Sequence, residues 1–338
     1  MTGTDAIAFD QATDWLRRFK RPLLVSHRNP DGDALGSLAA MRLLLRSLKI
    51  EATPVLFDKL PSRYTLFNRF EPMPTWKAAS AGEDWVGVDC VILLDTCSKP
   101  QLEPIIDWLT AASLPTMAVD HHTTRDDLAE IYVVDESAAA NCLILFEWAK
   151  SAKWTIDQQA AEALLIGIAM DTGWFRFANT DARAFSAAAD LVGHGAHPSE
   201  IRRLLFEREK AGRVRLLGEA LSSLQLLLSD RLAIMTLSQE SFERAGAAYD
   251  DTEDIVNEPL RIETILVSVL LVDRGDGMVR ASFRSKEPFE TGAPDIDVAV
   301  MAAEMGGGGH RRAAGARIEG RLSDVTTEIA NLTARAFG

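Results

Sequence analysis

Apolar residues fall along this chain in two rhythms. Unbroken runs, PLLVS at 22–26, ATPVLF at 52–57, CVILL at 90–94 and TMAV at 116–119, read as buried strands. The segment ALGSLAAMRLLLRSL at 34–48 instead repeats its apolar positions every three or four residues, the period of a helix. Strand and helix patterns alternating in this way predict an α/β fold, a mostly parallel sheet with helices on both faces. From 198 to 228 the pattern turns helical and rich in Arg, Glu and Leu, which predicts a connecting helical segment. Beyond it RLAIMTLS, TILVSVLLVD and MVRASFRS read as strands, and DVAVMAAEM and VTTEIANLTARAF as helices. The expected organisation is a domain at 1–195, a helical linker at 196–228 and a smaller α/β domain at 229–338. No internal repeat or low-complexity tract interrupts it.

With 338 residues, 47% apolar and 25% charged, the chain has ordinary globular composition and room for two cores. No apolar run reaches the roughly 18–20 residues of a membrane span, and the opening MTGTDAIAFDQATDW lacks a basic segment leading an apolar one. Cys90, Cys97 and Cys142 are odd in number and show no CxxC spacing, so they read as reduced thiols of a cytoplasmic protein. The net charge of −13 changes the picture more. Gripping long nucleic acid takes a basic face, so long duplex DNA is not an expected partner. An anionic substrate has to be short, or be held by a local cluster of metals and arginines.

Chemistry gathers where the early apolar runs end. VSHRNPDGD delivers His27, Asp31 and Asp33, CVILLD delivers Asp95, and AVDHH delivers Asp120, His121 and His122. A fourth segment, GIAMDTGWFRFANT, adds Asp171. Ligands of parallel sheets collect beyond the carboxyl ends of the strands, so these turns are expected to converge on one crevice. A single aspartate in such a turn is ordinarily a helix cap. That reading does not explain several apolar runs each ending in carboxylate or imidazole, a cluster that repels itself unless a cation joins it. Oxygen and imidazole donors without a cysteine pair favour Mn²⁺ or Mg²⁺ over structural zinc. About six donors, one able to bridge, fit two metals roughly 3.5–4 Å apart.

Taken in order, HRNPDGDALGS, LLDTCS, VDHH and DTGWFRFANT resemble the four motifs of the DHH phosphoesterases. GGGGHRRAAG at 306–315, with ASFRSK at 281–286 before it, resembles the accompanying DHHA1 domain. The resemblance covers nearly the whole chain. In size and domain content it is closest to the group that hydrolyses short oligoribonucleotides and acts as a 3′-phosphoadenosine-5′-phosphate phosphatase. It implies a catalytic DHH domain, a substrate-binding DHHA1 domain and an active site in the interdomain cleft. It also implies two Mn²⁺ ions, with Mg²⁺ as the substitute. His27 and Asp31 would hold one ion, Asp33, His121 and Asp171 the other, and Asp95 would bridge them. His122 would face the scissile phosphate, and Asp120 would sit behind the cluster and orient His121. Where related sequences open the next helix with a Thr/Ser-x-x-Glu-like pattern, this chain reads ESAAANCLILFEW, which bears on substrate preference and leaves the ligands untouched.

The glycine run is the second expected binding element. Glycines let backbone amides approach a phosphate closely, so Gly307, Gly308 and Gly309 with His310, Arg311 and Arg312 are candidates for gripping the substrate's end, and Arg284 is a further one. Other features read as structural: His194 and His197 at a helix exit, Cys97 as a small neutral neighbour of Asp95, YDDTED at 249–254 as solvated surface. Trp174, Phe175 and Phe177 could stack on a base, and packing in the core is the expected reading.

The expected activity is therefore Mn²⁺-dependent hydrolysis of short single-stranded RNA to 5′-mononucleotides, with 3′-phosphoadenosine-5′-phosphate as a further substrate. Linear or cyclic dinucleotide messengers are the alternative substrates, and a non-catalytic nucleotide-binding regulatory module is the alternative of another class. A DNA exonuclease fits poorly with the acidic charge, and an inorganic pyrophosphatase poorly with GGGGH. A homodimer is implied by the resemblance alone.

Overall fold

In the computed structural model, which describes residues 9–77, 85–289 and 294–337, the apolar runs of the first half become strands of one sheet. They are β1 (Pro22–Val25), β2 (Thr53–Val55), β3 (Cys90–Leu94), β4 (Thr116–Asp120) and β5 (Ile131–Val134), hydrogen-bonded in parallel in the order β2-β1-β3-β4-β5. Every residue of β1, β3 and β4 is buried, which is why those strands are apolar without alternation. The two faces still differ. Leu24, Ile92, Leu94 and Val119 pack into the larger cluster, and Leu23, Val25, Val91, Leu93 and Ala118 into the smaller. The edge strand β5 carried no prediction: IYVV is short, and only its last two residues are buried.

Helices cover both faces, as expected. On the larger side lie α1 (Phe9–Leu16), α2 (Gly32–Ser47), α4 (Asn141–Ser151), α5 (Gln158–Asp171), α6 (Ala182–Gly193) and α7 (Pro198–Phe206); α3 (Glu103–Ala112) covers the other. The pair α2 and α5 matters most for function, because it carries Asp33 at one end and Asp171 at the other. It packs close through glycine. A Cβ on Gly36 would stand 2.8 Å from the carbonyl oxygen of Ala163 and 3.1 Å from the Cα of Gly167, so only glycine permits this crossing.

The chain divides into two units at Arg208 and Glu209. The stretch 198–228 is laid out as α7 in the first unit, then α8 (Ala211–Ser222) and strand β6 (Gln225–Leu227) in the second. The second unit continues with β7 (Leu232–Leu237), α9 (Gln239–Ala245), β8 (Val267–Asp273), β9 (Met278–Ser285), α10 (Val298–Glu304), β10 (Gly308–His310), β11 (Ala313–Glu319) and α11 (Leu322–Phe337). Its sheet has the order β10-β11-β9-β8-β7-β6 and is antiparallel except between β7 and β8. Strand β9 alternates cleanly: Val279, Ala281 and Phe283 enter the core, while Arg280, Ser282 and Arg284 take the opposite face.

Candidate functional site

The order β2-β1-β3-β4-β5 fixes where a ligand can sit. The chain leaves β1 toward β2 on one side and resumes at β3 on the other. The carboxyl ends of β1 and β3 therefore flank a crevice that no crossover covers. His27 follows β1, Asp95 follows β3, and Asp120, His121 and His122 close β4. Asp31 and Asp33 sit at the start of α2, and Asp171 at the end of α5.

All six predicted metal ligands are brought together, in two sets that share the neighbourhood of Asp95. His27, Asp31 and Asp95 offer donor atoms within 4.8 Å of one another, and so do Asp33, His121 and Asp171. Asp95 stands between them. Its Oδ2 lies 3.6 Å from Nε2 of His27 and its Oδ1 3.4 Å from Nε2 of His121. Nε2 of His121 is also 3.7 Å from Oδ2 of Asp171. These separations are long for hydrogen bonds and suit donors arranged around a cation. Asp95 takes a left-handed backbone, φ 60°, which aspartate tolerates. Its Oδ1 is buried with no hydrogen-bond partner among the described residues, an expensive arrangement unless a cation completes it.

The imidazoles point the same way. Nδ1 of His27 donates to the carbonyl of Arg28 at 2.9 Å, and Nδ1 of His121 to the carbonyl of Ala138 at 3.1 Å. A carbonyl only accepts, so the proton sits on Nδ1 and Nε2 is left to ligate. Asp31 does two jobs at once. Its Oδ1 caps α2 by accepting from the amides of Asp33 and Ala34, both at 3.0 Å. The helix-cap and ligand readings of this aspartate are therefore compatible, since among the described residues no hydrogen bond engages its other oxygen.

Asp120 departs from expectation. Its Oδ1 accepts from the backbone amides of His121 and His122, at 2.8 and 3.1 Å, and from Nδ1 of His122 at 2.8 Å. The ring it orients is His122, not His121. The two rings meet edge to face at 4.5 Å, yet only that of His122 turns its Nδ1 to Asp120. His121 takes its orientation from the Ala138 carbonyl.

Sequence reasoning missed the groups that hold the ligands, because most are backbone atoms. The amides of Asn141 and Cys142, at the start of α4, donate to the two oxygens of Asp33. The ESAAANC stretch therefore supplies a helix N-terminus to a buried carboxylate. Arg183 fixes the same turn: it donates to Asp135 and Glu147, each at 2.7 Å, and to Ser137 at 3.1 Å. Asn179 bridges the carbonyls of Ala139 and Asp171 at 3.0 and 3.2 Å. An arginine opening α6 and an asparagine in DTGWFRFANT were the only available signals.

Charge is strongly coupled across the cluster. Burial alone would lower the two histidines, but the Asp95 carboxylate outweighs it and raises His27 to about 9 and His121 to about 10. Burial likewise opposes ionisation of Asp95, yet the imidazoles of His121 and His27 hold it below its usual value. Burial, with Asp95 and Asp171 close by, pushes Asp33 well up. Asp171 rises to about 6, again mainly through burial. The hydrogen bond that His122 donates to Asp120 raises its pKa. Cys97 is buried, its thiol pushed up by burial to about 11, and its Sγ turned to the carbonyl of Asp126, so it stays a neutral neighbour.

A cation binds the neutral imidazole, so metal uptake at these donor sets would displace protons from His27 and His121. Apparent metal affinity is expected to rise with pH and to level off only at about 9 to 10. Titration calorimetry in buffers of different ionisation enthalpy measures the released protons, and uptake without release at neutral pH contradicts the assignment. Stability of the metal-stripped protein runs the other way. Because the folded values lie above 6.5, the contribution of these histidines is complete below pH 6.5 and lost as pH rises through about 9 to 10.

In the second unit, GGGGH is no linker: Gly308, Gly309 and His310 pair with Gly315, Ala314 and Ala313. The predicted phosphate binders divide. Arg311 and Arg312 are both engaged by Asp295, Arg312 at 2.6 Å, so their charge is largely answered within the unit. Gly307, Gly308, Gly309 and His310 are all exposed along the edge strand, and Gly307 and Gly309 lie close against the backbone of β11. Arg284 is half-buried on β9 opposite Ala313, and burial lowers it.

Comparison with known proteins agrees with this layout. The DHH family, N-terminal domain, matches residues 22–168, and the DHHA1 domain matches residues 230–335. The bifunctional oligoribonuclease and PAP phosphatase NrnA of Thermus thermophilus is 29% identical over 321 residues, 93% of this chain and 89% of that protein. The cyclic-di-AMP phosphodiesterase GdpP of Geobacillus thermodenitrificans is 25% identical over 90% of this chain but 45% of that longer protein. The crystal structure of an exopolyphosphatase-related protein from Bacteroides fragilis has the same fold, with a TM-score of 0.84 at 23% identity over 100% of this chain and 97% of that one. No helix among the described residues is long and apolar enough to cross a membrane.

Proposed function

The chain belongs to the DHH phosphoesterases, with their DHHA1 domain, and from that premise we propose that this hydrolase uses two divalent cations to cleave short single-stranded RNA to 5′-mononucleotides. Removal of the phosphate from 3′-phosphoadenosine-5′-phosphate is its second activity. The observation that carries the reading is Asp95, a buried carboxylate whose two oxygens face two separate donor sets.

His27 and Asp31 would hold one cation and Asp33, His121 and Asp171 the other, with Asp95 shared between the two sets. Oxygen and imidazole donors make Mn²⁺ the preferred ion, with Mg²⁺ as the substitute. When bound, the pair supplies Lewis-acid polarisation of the phosphoryl group and activation of water. The chain does the rest. Asp33 is held by two amides and Asp31 by its cap, so neither reorganises during turnover. Asp120 fixes the ring of His122 and raises its pKa, so His122 can offer a proton to a phosphoryl oxygen near neutral pH. In the second unit, Arg284, His310 and the backbone of Gly308 and Gly309 take a terminal phosphate, with Gly307, Arg311 and Arg312 shaping the turn around them.

A second reading has one observation behind it, the similarity to a cyclic-di-AMP phosphodiesterase. Both are tested by one product time course on metal-stripped protein. The substrates are a 5′-phosphorylated RNA dinucleotide, a longer RNA, a cyclic dinucleotide and 3′-phosphoadenosine-5′-phosphate, each with and without added Mn²⁺. The expected result is metal-dependent release of mononucleotides, fastest on the RNA dinucleotide. Faster turnover of the cyclic dinucleotide moves the function to messenger hydrolysis. Binding without any product leaves a regulatory nucleotide-binding module.

A further inference from the structure

Just past Asp171 the backbone does something unfavourable. Gly173, Trp174 and Phe175 have φ of 55°, 62° and 61°, a left-handed run that glycine adopts freely and bulky side chains avoid. Packing sustains it. The Trp174 ring meets Phe206 edge-on at 5.6 Å, and Phe175 stacks on Phe185 at 5.4 Å. The amides of Arg176 and Phe177 both donate to the carbonyl of Thr172, at 2.9 and 3.0 Å. Trp174 and Phe175 are thereby turned toward the apolar body, as the sequence predicts, and both are half-buried against it.

Phe177 goes the other way. It is 56% exposed, and among the described residues no ring contact involves it. Its ring tip rests on Gly173, where a Cβ would come within 2.4 to 2.5 Å of three ring atoms. The turn itself is pinned, since Asn179 bridges the carbonyls of Asp171 and Ala139. An aromatic ring is thus held in solvent on a strained, fixed turn, six residues from a candidate metal ligand. Strain retained at such a place points toward function.

We infer that the Phe177 ring is a stacking platform for a nucleobase next to the scissile phosphate. The inference rests on the reading of the protein as a hydrolase of short RNA. Unpaired bases are bound by stacking on aromatic rings, and every base offers a π-face, so such a platform grips without selecting sequence. Phosphate held at the donor cluster and base held at Phe177 would together favour a nucleotide over a bare phosphoester.

The test compares wild type with Phe177→Ala, Phe177→Leu and Phe177→Trp, using a 5′-phosphorylated RNA dinucleotide and matched dinucleotides abasic at either position, with Mn²⁺. Alanine and leucine are expected to raise KM for the intact dinucleotide about tenfold, with kcat changed by less than about twofold. Tryptophan restores the wild-type value, which a merely apolar contact would not require. For one of the two abasic dinucleotides the variants should equal wild type. In stopped-flow mixing, 2-aminopurine placed at that position is quenched by wild type and not by Phe177→Ala. A wild type that cleaves dinucleotides, with Phe177→Ala at unchanged KM, overturns this inference alone. A changed oligomeric state with unchanged kinetics assigns the ring to a contact between copies and overturns it too. A wild type that leaves every dinucleotide intact overturns the short-RNA reading and this one with it.

Discussion

Asp95→Asn is expected to lower turnover at least about 10³-fold and to leave the protein folded. The loss follows from position: the two oxygens of Asp95 face His27 and His121, and removing the charge leaves no anion between the two donor sets. Metal catalysis contributes several kcal/mol of transition-state stabilisation, and each 1.36 kcal/mol is tenfold in rate, which gives about three decades. Asparagine is the informative replacement because it is isosteric and accepts the left-handed backbone at this position. Alanine would add strain and a void in a residue that is 2% exposed. Metal content of dialysed protein, measured by plasma mass spectrometry, should fall below two ions per chain, while the circular dichroism spectrum stays unchanged. Two retained ions and wild-type turnover would sink the bridging role.

Gly167→Ala should be the most damaging conservative change in the first unit. On helix propensity alone the substitution gains up to about 1 kcal/mol. Here a Cβ would stand 2.2 Å from Sγ of Cys142 and 2.5 Å from Oδ1 of Asp33. Neither neighbour can move away easily: Asp33 is held by the amides of Asn141 and Cys142, and Cys142 is fully buried at the start of α4. Overpacking of this kind costs about 1–3 kcal/mol and outweighs the propensity gain. Displacing a ligand through its supports also weakens metal binding, by roughly 10–100-fold. Gly218→Ala provides the control, an exposed helical glycine with nothing within 4 Å of its added Cβ. It should stabilise by about 0.5–1 kcal/mol. Urea melts with manganese titrations on both variants separate the effects, and a stable, fully metal-binding Gly167→Ala would contradict the packing argument.

The residues that converge at the candidate site were legible because each is marked locally. An apolar run followed at once by His27, Asp95 or Asp120 is visible without knowing any partner, and a parallel sheet places such ends together. Three of the six described strands of the second unit, β7, β8 and β9, were equally plain, since alternation in MVRASFRS reports which side of β9 is buried, whereas β6, β10 and β11 carried no prediction. Edge strand β5 was missed because half of it is not buried enough to leave a pattern. The stretch 198–228 looked uniformly helical, although its chain breaks at 207–210 and ends in β6.

What the sequence by itself determined is thus the α/β class, the order of the motifs and the set of residues that gather at the candidate site. Only the tertiary structure decided how those donors are held. Asp33 is gripped by backbone amides 108 and 109 residues away, and His121 by the carbonyl of Ala138, groups that every residue possesses and no residue type announces. It also decided that Asp120 serves His122, that Asp295 answers the charge of Arg311 and Arg312, and that Phe177 faces solvent while its two aromatic neighbours turn inward. Residue type and period are properties of a few neighbouring positions. The partner of a carboxylate or a ring is set by where distant segments cross, and in this fold by glycines that let α2 and α5 approach.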